Sequence, residues 1–322
     1  MRRPAVVALG GGHGLAASLG ALRHLTDRIT AVVTVADDGG SSGRLRRELG
    51  VLPPGDLRMA LSALCSDDEW GSTWRDLLQH RFASQGELHN HAVGNLLIVA
   101  LWELLGDSVQ GLDWVGRLLG AKGRVLPMSA VPLDIEATIV GLDPADGGRE
   151  QTVRGQSRVA TTPGHVRSVR LVPEAPPACP EAVAAVRAAD WVVLGPGSWF
   201  TSVMPHLLVP ELRSALCETP ARRLVTLNVG TADRETGGYR PADLLAALNA
   251  HAPDLRVDVV LADPQGADDR PSLLRACTAL GAQLVVSPVV SSHDPAVHDP
   301  LRLAAAYRDV LGRPRTGPVP AS

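Results

Sequence analysis

The chain has 322 residues, 45% of them hydrophobic and 20% charged, and a formal net charge of -3 from 31 Lys+Arg against 34 Asp+Glu. These are ordinary globular proportions with ample length for a core. They exclude a global basic field of the kind that holds nucleic acid or an anionic membrane, so any anion site has to be made locally.

Residues 5–9 are an apolar run stopped by Gly10-Gly11-Gly12, the pattern of a buried strand ending in a tight loop. Leucines at 15, 19, 22 and 25 have helical spacing, and the β-branched run 29–36 reads as a second buried strand. Strand, glycine loop, helix and strand make a βαβ unit, which predicts a right-handed crossover and a parallel sheet. Residues 56–64, 71–81 and 91–105 read as helices. The patches in 124–172 read as short strands, an antiparallel addition to the core. An α/β rhythm then returns, with helices expected over 182–189, 241–250, 272–280 and 301–311. The strands expected between them are 191–194, 223–229, 257–262 and 283–288. The fold class is α/β and Rossmann-like, a mostly parallel sheet with helices on both faces and inserted helical (56–121) and short β (124–172) elements. One domain over 1–312 is expected, with 313–322 a Pro-rich disordered tail.

The N-terminus runs straight into strand-like sequence, so no signal peptide is expected, and no apolar run reaches the roughly 18 residues of a membrane span. A cytoplasmic location follows. The 4 cysteines Cys65, Cys179, Cys217 and Cys277 form no CxxC pair and are expected as small buried hydrophobes in a reducing compartment.

Six segments carry candidate chemistry. Gly11, Gly12, His13 and Gly14 lie between strand and helix, where glycine permits close approach of a phosphate and the helix N-terminus supplies free N–H donors. The spacing is not GxGxxG, so no dinucleotide fingerprint is met. The second segment, 36–46, places adjacent carboxylates Asp37 and Asp38 at a strand end, which ligand hydroxyls or a hydrated metal would compensate. Its Gly39–Gly43 stretch, with Ser41 and Ser42, reads as a flexible hydroxyl-rich loop, and Arg44 and Arg46 suit phosphate. Asp56 is placed to cap the helix after Pro53-Pro54-Gly55, and Arg58, in that helix's first turn, calls for an anionic partner. In 89–97, Asn95 precedes an apolar helical run and reads either as a ligand contact or as a core amide. His89 and His91 have metal-ligand spacing without a further His or Cys signature, so a metal-dependent hydrolase is a minor reading. Gly195, Gly197, Ser198 and Thr201 follow another strand, and Asn228 and Thr231 a third. Several such loops on one sheet point to a crevice at the strand carboxyl ends. His293 and His298 receive no role, and no GxSxG elbow is present.

Together GGGHGL (10–15), VADDGGSSGRLR (35–46), PPGDLR (53–58), HNHAVGNLL (89–97) and LGPGSWFTSVMPHLL (194–208) resemble the YvcK family of gluconeogenesis factors, within the CofD-like superfamily. The match spans most of the chain. It departs from the family pattern at 228–237, where TADRETGG replaces an expected Thr-Gln-Pro-Gly-Glu-Thr-like run, and at His13, where many relatives have threonine.

In the YvcK branch the resemblance implies a regulatory factor that binds a UDP-sugar, especially UDP-N-acetylglucosamine. That branch is linked to cell shape, cell-wall precursor supply and growth on gluconeogenic carbon. Gly11, Gly12, His13 and the 195–198 loop would then hold the diphosphate, and Asp37 or Asp38 with Asn95 the ribose or sugar hydroxyls. In the CofD branch it implies a magnesium-dependent transferase of a phospholactyl or phosphoenolpyruvyl group to a deazaflavin. There Asp37 or Asp38 would hold Mg2+, and Arg44 or Arg58 would stabilise the leaving group. The binding factor is the preferred reading, no catalytic residue is identified, and the protein partner and oligomeric state stay open.

Overall fold

The computed structural model describes residues 2–143, 145–230 and 236–313. It opens with β1 (Val6–Gly10), α1 (Gly12–Leu22) and β2 (Ile29–Val33). β1 is apolar and buried at every position, as an inner strand covered on both faces must be. It pairs in parallel with β2, Val6 opposite Ile29 and Gly10 opposite Val33, so the expected βαβ unit is present.

Five helices follow: α2 (Gly40–Leu49), α3 (Gly55–Leu64), α4 (Glu69–Gln79), α5 (Val93–Leu105) and α6 (Ser108–Leu118). α2 corrects the expectation of a flexible loop over 39–43. Gly39 is extended and caps the helix, and a side chain at Gly43 would meet the Asp38 carbonyl at 1.9 Å. Glycine therefore serves close packing there.

β3 (Arg124–Pro127) pairs in parallel with β2, and so belongs to the central sheet and not to the antiparallel addition. That addition is smaller than expected. β4 (Asp134–Val140) lies between β5 (Gln151–Arg154) and β6 (His165–Val172), with the short helix α7 (Gln156–Thr161) inserted.

The second half runs α8 (Pro180–Ala188), β7 (Trp191–Leu194), a π-helical turn (Trp199–Val203), α9 (Pro205–Leu208), α10 (Pro210–Glu218) and β8 (Arg222–Thr226). It continues with α11 (Pro241–His251), β9 (Val259–Ala262), a 3-10 turn (Pro264–Ala267), α12 (Arg270–Ala279), β10 (Gln283–Val286) and α13 (Pro300–Leu311). β8 ends three residues before the expected Val229, which leaves Asn228 in a loop. Cys65, Cys179 and Cys277 are buried, Cys217 is half-buried, and all four are free thiols.

The seven-stranded parallel sheet has the order β10-β9-β8-β7-β1-β2-β3. From β1 the chain moves outward one way through β2 and β3. From β7 it moves the other way through β8 to β10. The order reverses between β1 and β7, and the loops leaving those two strands must diverge and open a crevice. No helix among the described residues is long and apolar enough to cross a membrane.

α13 returns to pack on α1, and a chain of hydroxyls ties it beneath the crevice. Ser18 Oγ donates to the Gly195 carbonyl at 3.0 Å. Each hydroxyl donates once, so Tyr307 then donates to Ser18 at 2.7 Å and Thr226 donates to Tyr307 at 3.0 Å. Tyr307 is completely buried, and burial pushes its hydroxyl up to about 12, so it stays a neutral donor. Tyr307→Phe leaves the buried Thr226 hydroxyl without its acceptor and the buried Ser18 hydroxyl without its donor. It is expected to cost about 1–3 kcal/mol, read as a lower urea midpoint with unchanged far-UV circular dichroism.

Candidate functional site

A cavity of about 270 Å³ lies at the carboxyl ends of β1, β7 and β8. Its floor is Gly11, Gly12, His13 and Gly14 after β1, with Pro196, Gly197 and Ser198 after β7. Asn228, Val229 and Gly230 after β8 close one side. α1 begins at Gly12 with no side-chain cap and no acidic residue in its first turn. Its first amides lack intrahelical partners, and the helix dipole adds partial positive charge. This is a ready anion site.

The two glycine loops touch. A side chain at Gly14 would meet the Pro196 carbonyl oxygen at 2.3 Å and Gly197 Cα at 2.5 Å. Asn228 holds Gly197 from the other side, accepting its N–H at 2.7 Å and donating to its carbonyl at 2.8 Å. The Asn228 amide therefore shapes the loop. Thr201, expected at the ligand, is fully buried away from the cavity, and its hydroxyl has no hydrogen-bond partner among the described residues. Ser202, one residue on in the π-helical turn, reaches the cavity instead. Thr231 lies outside the described residues.

The adjacent carboxylates diverge. Asp38 turns to α7 and accepts the Ser157 N–H at 2.9 Å, a structural role. Asp37 accepts the Gly39 N–H at 2.9 Å and lines a second cavity of about 220 Å³. Burial holds its carboxyl above the usual carboxylate range, against the hydrogen bonds from Gly39 and Ser42. Its partner across that cavity is Asp56. The capping role expected of Asp56 is not the observed one, because α3 has Pro54 at its N-cap and no side-chain cap. The Asp56 carboxyl passes under the first glycine loop and accepts the Gly12 N–H. A side chain at Gly11 would come within 2.5 Å of it. Asp56 lines both cavities and so stands between them. Burial, and then the charge of Asp37, push its carboxyl up to about 7, while Gly12 and Arg58 pull it down.

Arg58 is buried in the second cavity. Its hydrogen-bond partners are amide oxygens and not the anionic partner expected: Nε donates to Asn95 Oδ1 at 2.9 Å and Nη1 to Gln79 Oε1. Burial, and then the like charge of Arg81, bring it down to about 10. Asn95 also donates to Ser41 Oγ at 3.0 Å, which lies 3.0 Å from His91 Nδ1. Of its two readings, the core amide matches these bonds, and Asn95 lines the cavity as well. Ser42 lines the same cavity and hydrogen-bonds Asp37.

Arg44 and Arg46 are held by groups of the chain itself. Arg44 donates to the carbonyls of Glu87 and His89 at 3.0 and 2.7 Å, and Arg46 pairs with Asp134 at 2.6 Å. His91 is buried on Ser41, whereas His89 is exposed beside Asn90. No group of three or more His, Cys, Asp or Glu set to hold a metal is found among the described residues. Two carboxylates next to a glycine loop nevertheless fit Mg2+, which takes one or two carboxylates plus ligand phosphates. The fitting pair is Asp37 with Asp56, not Asp37 with Asp38.

Sequence reasoning missed His298. Its ring lines the first cavity and lies 3.3 Å from the Leu227 carbonyl. The loop that carries it is pinned where Asp263 accepts the N–H groups of Val289 and Val290 at 2.9 and 3.1 Å. No local pattern in the Asp/Pro-rich sequence marks that return to the crevice.

Residues 6–283 match the family described as 2-phospho-L-lactate transferase CofD. The chain belongs to the CofD family. It is 52% identical over 311 residues to a Mycobacterium tuberculosis protein named "Putative gluconeogenesis factor", covering 96% of this chain and 90% of that one. It is 35% identical over 324 residues to the Bacillus subtilis "Gluconeogenesis factor", covering 96% and 99%. A crystal structure of a UPF0052 family protein from Bacillus halodurans superposes with a TM-score of 0.81 at 32% identity, covering 95% of this chain and 99% of that one.

In this CofD-family site the folded state holds a proton on Asp56 up to about pH 7, whereas an unfolded aspartate releases it near 3.8. Stability is therefore expected to fall as pH rises through that window and to level off above it. Asp56→Asn keeps the acceptor for Gly12 but cannot ionise. Urea melts at pH 4 to 8 should show the variant gaining on the wild type as pH rises to about 7; a pH-independent difference would contradict the assignment.

Proposed function

We propose that the chain is a nucleotide-sugar-binding factor that supports growth on gluconeogenic carbon. UDP-N-acetylglucosamine is the first ligand to try, and cell shape and cell-wall precursor supply are the processes it serves. The observation that carries this reading is the contact of Gly14 with Pro196 and Gly197, which makes one surface of two glycine loops at the sheet's switch point. A diphosphate on that surface is met by the first-turn amides of α1 other than Gly12, whose N–H goes to Asp56. The β8 side, with Val229, Val297 and His298, offers mixed apolar and polar walls for base and ribose. The gluconeogenic role is drawn from the names of the relatives. The factor acts inside the cytoplasm through a protein partner, not through nucleic acid or a membrane.

One observation favours a second reading, the transferase of a phospholactyl or phosphoenolpyruvyl group to a deazaflavin. Asp37 and Asp56 oppose each other beside the phosphate loop, and two carboxylates held above their usual range invite a divalent cation. Asp37 and Asp56 would hold Mg2+, which supplies charge neutralisation at the donor phosphates. The chain's own contribution is to position the diphosphate on α1 and to keep Arg58 facing the far end.

Calorimetry with UDP-N-acetylglucosamine, GDP and GMP, each with and without magnesium, separates the two. Saturable, magnesium-independent binding of the UDP-sugar is expected, and binding of guanine nucleotides only with magnesium would favour the transferase. Gly14→Ala is expected to weaken UDP-sugar binding by about tenfold or more, equivalent to ~1.4 kcal/mol. Gly20→Ala serves as the control in the same helix, because a side chain there meets nothing within 4 Å.

A further inference from the structure

The first cavity is not built from the central sheet alone. Gln156, the first residue of α7, lines it from the small antiparallel sheet. Several of the cavity's polar side chains are already committed. Asp56 accepts from Gly12, Asn228 is bonded twice to Gly197, and His298 lies on the Leu227 carbonyl. The half-buried Gln156 carboxamide makes no hydrogen bond among the described residues. A carboxamide offers two donors and an acceptor, and one held at a cavity wall without partners is set to meet a ligand.

The turn that carries Gln156 is clamped from two sides. Gly155 has a φ of +101°, which glycine adopts without strain, and donates to the Ile135 carbonyl of β4 at 2.8 Å. From the other side Asp38 accepts the Ser157 N–H at 2.9 Å, and a side chain at Gly155 would meet Asp38 Oδ2 at 2.3 Å. Gly39 approaches as closely, since a side chain there would meet Ser157 Oγ at 2.6 Å. Asp38 thus fixes the residues on both sides of Gln156. That accounts for a carboxylate at a strand end that itself lines neither cavity.

The two ends of the first cavity differ. Val229, Ala296 and Val297 gather on the β8 side, an apolar wall suited to a flat base. Asp38 follows β2, which lies beyond β1 from β7 and β8 in the sheet, so Gln156 enters from the opposite end. With a diphosphate on Gly11–Gly14 between them, the group at that end is the sugar, whose hydroxyls both donate and accept. We infer that Gln156 is a specificity-determining residue that reads the sugar of a nucleotide sugar, and that Asp38 is the positioning residue that aims it. This rests on the nucleotide reading above and fixes the direction of the ligand, base toward β8 and sugar toward β2.

Calorimetry on the full chain compares UDP-N-acetylglucosamine with UDP. Gln156→Met keeps the length of the side chain and removes its hydrogen bonds. It is expected to weaken the UDP-sugar by about three- to tenfold, the scale of one hydrogen bond, and to leave UDP within about twofold of the wild type. Asp38→Ala is expected to give the same selective loss. Asp38→Asn, whose amide oxygen still accepts the Ser157 N–H, is expected to keep the wild-type affinities. Equal losses for both ligands in Gln156→Met would place the carboxamide at the diphosphate or the base and overturn the inference, as would no loss for either. An Asp38→Asn variant as weak as Asp38→Ala would overturn the positioning role. Wild-type protein that binds neither ligand would defeat the nucleotide reading, and this inference with it.

Discussion

The approach of Gly14 to Pro196 and Gly197 is the constraint on which the site depends. Two parallel strands, β1 and β7, are hydrogen-bonded side by side, yet the chain leaves them toward opposite ends of the sheet. Their loops must therefore cross at close range, and only residues without a Cβ allow backbone to meet backbone there. What keeps the loops together is polar and buried. Asn228 grips Gly197 from above, and the Thr226–Tyr307–Ser18 relay holds the Gly195 carbonyl from below. α13 thus stabilises a loop more than a hundred residues earlier.

Asp56 couples this surface to the charged compartment beside it. Its carboxyl supports the amide of Gly12 and faces Asp37, so the local field responds to whatever sits on the glycine loops. A diphosphate above Asp56 favours either a proton or a divalent cation between them, because adjacent anions in a buried site repel strongly. The binding-factor and transferase readings share this geometry. They differ in which of the two compensating charges is used.

Much of the fold was legible from period and punctuation. The buried runs at Val6–Gly10 and Trp191–Leu194 are strands, and their glycine stops line the first cavity. Gly11, Gly12, His13, Gly14, Gly197 and Ser198 all reach the first cavity, and Asp37, Ser41, Ser42, Arg58 and Asn95 all reach the second. Three kinds of residue were read differently from where they lie. Thr201 sits one position from the cavity-facing Ser202, because the π-helical turn rotates it inward. Arg44 was read as a phosphate ligand but fastens a loop through carbonyls. Arg124–Pro127 was read as part of the small antiparallel sheet, since a four-residue strand carries no signal of which neighbour it will pair with.

The sequence by itself determined the α/β class, the glycine loops at strand ends, and the concentration of carboxylates and guanidiniums in a few short segments. These are local properties, set by hydrophobic period, backbone freedom and residue type. Only the tertiary structure decided which of those residues face each other. Asp37 meets Asp56, nineteen positions away, and not its neighbour Asp38, because the backbone turn at the end of β2 sends successive side chains to opposite sides. His298 reaches the crevice because Asp263 pins its loop there. Such pairings are long-range contacts between segments, and no periodicity within either segment encodes them.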